Sequence, residues 1–168
     1  MEIYKGTATF SGIAIGKVLY YSRGEYQIRQ CLVSNIKKEI SNFQEARIQA
    51  VQKLNELYEA SRLLNEQEAG VFMRQIKLLE SESYQNAIES SIANEKVNAA
   101  YAVMINRDEL VETFRHLEEP VIRRRINDMQ EISNRLIQIL GGAAIRINLG
   151  DEPVILVAEA LSPTEIME

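Results

Sequence analysis

His116 is the single imidazole of the chain, and it stands beside Leu117 and ahead of Glu118-Glu119. A general base must be aimed at the proton it removes. A histidine near a helix end is instead held by the negative end of the helix dipole, and His116 is read as such a surface residue. Cys31 is the one thiol and has no histidine near it in sequence, so it is read as a buried or incidental cysteine. One His and one Cys cannot make a structural zinc site. Glu66, Glu68, Glu80 and Glu82 are numerous but fall mainly on solvated helix faces. The spacing Gly12-x-x-x-Gly16 lacks the lysine and threonine of a phosphate loop and lacks G-x-G-x-x-G, so it is a turn signal. Arg123-Arg124-Arg125 suits a phosphate or carboxylate. On a helix, however, three consecutive heads point about 100° apart, so one or two at most face any one partner. No catalytic residue and no metal ligand is assigned to this chain.

The elements that carry these residues sit in a chain of 168 residues, enough for one domain with a smaller unit attached. Apolar residues make up 46%, enough to form a core, and charged residues 26%, which suits a solvated surface. A net charge of −5 argues against nucleic acid and anionic membrane as partners and permits a basic protein. A lone cysteine suits a reducing cytoplasm. Residues 1–12 are polar and resemble no signal peptide. No apolar run approaches the ~20 residues needed to span a bilayer.

Three zones differ in texture. Residues 1–32 read as strands, with Thr7, Thr9, Ile13, Ile15, Val18, Leu19 and Tyr20 among glycines. Residues 33–140 read as five helices. The first, over 34–63 with Ser34 as N-cap, carries the stripe Ile36, Ile40, Phe43, Arg47, Val51, Leu54 and Tyr58. The second starts at Asn65, with Glu68 completing a near capping box, and uses Ala69, Phe72, Ile76 and Leu79. A third, capped by Ser81, uses Tyr84, Ile88 and Ile92. The fourth, over 98–117, points Tyr101, Met104, Val111 and Phe114 inward. The fifth has Pro120 in its first turn, carries Ile122, Ile126, Met129, Ile132, Leu136 and Ile139, and stops at Gly141-Gly142. Residues 141–168 return to strand character at Val154-Ile155-Leu156-Val157. The expected fold is mostly α with a small β part: a helical bundle inserted between two strand-rich pieces that pair with each other.

Four segments, in order, resemble one known family. Phe10-Ser11-Gly12-Ile13-Ala14-Ile15-Gly16-Lys17 is similar to the opening of enzyme I of the bacterial phosphotransferase system. Phe72-Met73-Arg74-Gln75-Ile76-Lys77-Leu78-Leu79-Glu80-Ser81-Glu82 resembles a family segment in which a Phe, an aliphatic pair and an acidic stretch end a helix. Arg124-Arg125-Ile126-Asn127-Asp128-Met129-Gln130-Glu131-Ile132 is similar to its Glu-Arg-Ala-x-Asp-Ile-Arg-Asp-Ile/Val motif. Residues 154–165 resemble its Val-Ile-Ile/Leu-Val-Ala-x-Asp-Leu-Thr-Pro-Ser-Glu/Asp. The chain departs from the family pattern at Arg124, Gln130 and Ala160, and from better-known members at Lys77 and Ser83.

The resemblance implies a helical subdomain that docks the phosphocarrier protein HPr, inserted into an incomplete α/β phosphohistidine swivelling domain. It divides the chain into 1–32, 33–140 and 141–168. It also implies that this stretch precedes the catalytic histidine and is inactive alone. Phosphoenolpyruvate and magnesium are expected only with a carboxy-terminal barrel, so no cofactor is expected in this chain. The implied role is to hold HPr for phosphoryl transfer in sugar uptake. The expected docking face is the elbow between the second and third helices. Phe72, Ile76, Leu78 and Leu79 supply apolar area, with Phe72 and Ile76 equally suited to the core. Glu66, Glu68 and Glu82 supply charge. Arg125 matches the family's interface arginine, with an intrabundle salt bridge as its other reading. A homodimer through the swivelling part is a second expected association. The competing functional reading is a helical protein-interaction module with a different partner, and beyond it an enzyme whose site forms between subunits.

Overall fold

The computed structural model describes residues 12–21, 28–63, 66–117, 119–141, 153–158 and 161. The chain divides into two compact units, one of Met1–Gly24 with Arg146–Leu161 and one of Glu25–Ile145 with Ser162–Glu168.

The first unit holds β1 (Lys17–Tyr21) and β2 (Val154–Ala158). They pair in parallel, with Lys17 opposite Val154, Leu19 opposite Leu156 and Tyr21 opposite Ala158. Parallel neighbours need a long connection between them, and here the whole helical unit supplies it. The expected pairing of the two strand-rich pieces is therefore found. Gly16, read from the sequence as a turn residue, has a different task. A Cβ at this position would lie 2.6 Å from the Pro153 carbonyl oxygen, so only glycine lets β2 enter at this distance.

The second unit holds α1 (Ile36–Arg62), α2 (Glu66–Glu80), α3 (Glu82–Glu95), α4 (Ala99–Phe114) and α5 (Pro120–Gly141). Its entry is pinned. Val33 N–H donates to the Lys96 carbonyl at 2.8 Å, and Asn98 N–H donates to the Cys31 carbonyl at 3.0 Å. The Asn98 side-chain oxygen accepts from Cys31 N–H at 2.9 Å. These bonds flank an antiparallel bridge between Leu32 and the fully buried Val97. They also move the first helix start. Val33 is committed to the bridge, so the cap falls on Asn35 and not on Ser34, and Asn35 Oδ1 accepts from Lys38 N–H at 3.0 Å. The expected Asn65 cap of α2 lies outside the described residues. Ser81 does precede α3, but its hydroxyl meets Ser83 Oγ at 2.8 Å and makes no cap bond.

The core is built around small residues more than periodicity alone suggests. On α1 the buried stripe is Phe43, Ala46, Ala50, Leu54, Leu57 and Ser61. Arg47, Val51 and Tyr58, expected on that stripe, are only half-buried at its flank. On α4 the buried residues are Ala99, Ala102 and Val103. Tyr101, Met104 and Val111, expected inward, are half-buried, and Phe114 is exposed. The reason is common to both helices: alanine lets another backbone approach, so close packing favours the face that carries alanines beside Phe43, Leu54, Leu57 and Val103, and the large side chains off that face stay at the rim. On α3, Tyr84, Ile88 and Ile92 are buried as expected. On α5, Met129, Ile132 and Leu136 are buried, while Ile122, Ile126 and Ile139 lie at the margin. Among the described residues, no helix is long and apolar enough to cross a membrane.

Candidate functional site

The residues expected to form a docking elbow separate into two groups. Phe72 is 1% exposed, Ile76 5% and Leu79 0%. Together with Ala69, 1% exposed, they form the buried stripe of α2 at three- and four-residue spacing, and Phe72, Ile76 and Leu79 belong to the main core. Leu79 is corrected from a contact residue to a packing residue, and Phe72 and Ile76 take the core reading that the sequence left open beside the contact one, because a side chain already buried in the bundle offers no area to a partner. Leu78 is half-buried at the edge of that core, and Glu82 is exposed in the first turn of α3. Glu66 and Glu68 lie in α2, with side chains outside the described residues.

Arg125 is exposed on α5 and has no ion-pair partner among the described residues. Its neighbour Arg124 turns back along the helix, with Nε donating to the Pro120 carbonyl at 3.2 Å. The run of three arginines therefore does not act as one clamp. His116 is exposed in the turn after α4, as the sequence reading expects. Cys31 is exposed, not buried. Among the described residues, no group of three His, Cys, Asp or Glu side chains is placed to hold a metal ion.

Two features escape the sequence reading. The first is an ion pair joining α2 to α5. Arg74 Nε donates to Asp128 Oδ2 at 2.9 Å, and Arg74 Nη1 donates to the Gly70 carbonyl at 3.3 Å. The Asp128 side chain is 11% exposed and that of Arg74 48%. The available signal was an acid in step with the core stripe: Asp128 precedes Ile132 by one turn, and a carboxylate there requires a partner. The second is the elbow between α4 and α5, where Phe114, Leu117 and Val121 are exposed. Arg115, His116, Glu119 and Arg125 are also exposed, and Arg115 pairs with Glu112 at 3.5 Å, so this elbow is apolar with charges of both signs around it.

Polar groups within the bundle are few. The Tyr84 hydroxyl meets Ser133 Oγ at 3.5 Å. Burial disfavours its phenolate and pushes its pKa from 10.0 up to about 12, against a smaller downward pull from Ser133. The Gln75 side chain is 2% exposed, and nothing among the described residues hydrogen-bonds its amide.

The pattern described as PEP-utilising enzyme, N-terminal, matches residues 5–125. The chain belongs to that family. Its similarity to other members extends over nearly all of its length. A phosphoenolpyruvate-protein phosphotransferase of Borreliella burgdorferi is 28% identical over 167 residues, covering 97% of this chain and 29% of the relative. One of Haemophilus influenzae is 31% identical over 165 residues, covering 95% and 28%. The chain thus spans less than a third of the length of these curated relatives. The solution structure of an enzyme I (nEIt) protein shares the fold, with a TM-score of 0.76 at 21% identity over 90% of this chain and 63% of that one. The resemblance to the amino-terminal part of enzyme I, read from four short motifs, holds for family and for fold.

Proposed function

We propose that this chain is the carrier-docking part of a phosphotransferase-system enzyme I, holding HPr while a phosphohistidine carried elsewhere in the parent enzyme transfers its phosphoryl group. The observation that supports this is the family match over 5–125, which runs through β1 and α1 to α4 into the first turns of α5. Docking needs no catalytic side chain from the helices. It converts transfer between two molecules into transfer between adjacent groups, a gain of up to about 7–11 kcal/mol in well-oriented cases. The proposed face runs from Leu78 and Glu82, with Glu66 and Glu68 on the same helix pair, to Arg125 and the exposed Phe114, Leu117 and Val121. Acidic residues at the first end steer a basic carrier, and the apolar elbow supplies area. The setting is the cytoplasm, and the process sugar uptake. Phosphoenolpyruvate and magnesium belong to a carboxy-terminal barrel of the parent enzyme and not to residues of this chain. We further propose that the paired strands, which expose Val18, Tyr20 and Val157, let two copies associate; sedimentation showing a strict monomer at high concentration would exclude it.

The test is calorimetric titration of this chain with HPr from the same organism. Saturable micromolar binding is expected. Leu78→Ala with Glu82→Lys should weaken it about tenfold or more, since one change removes apolar contact and the other reverses a steering charge. Leu78 also touches the core, so Leu78→Ala alone should cost about 1–2 kcal/mol of stability; Glu82→Lys isolates the charge. Unchanged affinity with intact helical circular dichroism would refute the face. A folded wild-type chain that binds no HPr would refute the function.

A further inference from the structure

We infer that the Arg74–Asp128 ion pair is a positioning device that holds the two halves of the proposed docking face in register; the inference rests on the docking reading above. The pairs Lys53–Glu56, Arg62–Glu59 and Arg107–Asp108 each join residues of a single helix, and Arg115–Glu112 joins the end of α4 to the residue that follows it. Arg74–Asp128 joins two helices. Its placement connects the pieces that docking needs. Arg74 lies one turn before Leu78 on α2, and Asp128 one turn after Arg125 on α5, so each partner shares a helix face with a proposed contact residue.

Stability does not account for the pair. A carboxylate in the wall of an apolar core loses hydration, and its attraction to an arginine does little more than restore that loss. Apolar residues of similar volume would serve packing as well. What they would lack is direction. Packed aliphatic side chains tolerate small slides and rotations of one helix on another. An Nε–H···Oδ2 bond of 2.9 Å, with the same guanidinium also held by the Gly70 carbonyl, does not. Arg74 is half exposed, so it remains at the surface while fixing a buried partner. Arg74 and Asp128 therefore act on docking through Leu78 and Arg125.

Stability and docking then respond differently to substitution, and this separates positioning from a purely structural role. Asp128→Asn keeps the volume and removes the charge. It should retain helical circular dichroism and weaken HPr binding roughly tenfold, within the span found for residues that act through others. The double variant Arg74→Met with Asp128→Leu should unfold at a temperature equal to or above that of the wild-type chain and still bind HPr as weakly as Asp128→Asn. Wild-type affinity in the double variant, or in a folded Asp128→Asn, overturns the inference and leaves the docking reading standing. Failure of the wild-type chain to bind HPr overturns both.

Discussion

Tyr84 makes the stability of the helical unit sensitive to alkaline pH in a way that one hydroxyl controls. In the unfolded chain its phenol ionises near 10.0, and in the folded protein near 12, chiefly because burial disfavours the phenolate. Below pH 10 the phenol is neutral in both states and contributes no pH dependence. Between pH 10 and 12 the unfolded chain gives up its proton and the folded protein keeps it. The folded state then binds more protons, so stability falls as pH rises. Two units at 1.36 kcal/mol each amount to roughly 2–3 kcal/mol lost across that window. Urea unfolding from pH 8 to 12, on wild type and on Tyr84→Phe, measures it. Other groups titrate in the same range, so the decisive quantity is the difference between the two proteins. The Tyr84–Ser133 contact is long at 3.5 Å, so Tyr84→Phe should change stability by less than about 1 kcal/mol at pH 8. By pH 12 the variant should be the more stable by roughly 2 kcal/mol. Parallel curves for the two proteins would refute the reasoning, because they would mean that the phenolate is solvated in the folded state.

Three smaller perturbations test the account of the bundle. Lys96 ends α3 in the left-handed region, at φ 55° and ψ 42°, so Lys96→Gly should raise the urea midpoint by the equivalent of about 0.5–1 kcal/mol. Glu39 on α1 accepts Ala99 N–H at 3.0 Å, a first-turn donor of α4 that Asn98 does not cap because its side chain is engaged with Cys31; Glu39→Ala should lower the thermal midpoint by about 2–6 °C and Glu39→Gln by less. Gln75→Met replaces a buried amide lacking a partner among the described residues with an apolar chain of similar volume, and should stabilise by about 1 kcal/mol in thermal or urea unfolding; a loss of stability would reveal a hydrogen bond to Gln75.

The order of elements was legible in the sequence because each helix carries its own punctuation. Pro120 opens α5, and Ser81 stands one residue before α3. The β-branched run at 154–157 falls within β2, whose partner lies beyond all five helices. Which face of each helix is inside was less legible. Periodicity assigns a stripe to any large apolar residue at the right interval, so Val51, Tyr58 and Met104 read as core. Packing instead chose Ala46, Ala50 and Ala102, because close approach of backbones rewards small residues as much as apolar area.

The same ambiguity governs the candidate site. Phe72, Ile76 and Leu79 lie in a motif shared with a docking family, yet they fall on the interval that also defines the core stripe of α2. A motif constrains residues that pack and residues that bind alike. Only the burial of the first group shows that the surface part of the segment begins with Leu78 and Glu82. Charge separates the two classes where hydrophobicity does not. Asp128, in step with the core stripe, cannot be there for apolar packing, and its requirement for a partner points across to Arg74 on α2. A buried acid is therefore the more informative marker of how these helices are held relative to one another, and through them of where a partner would find its surface.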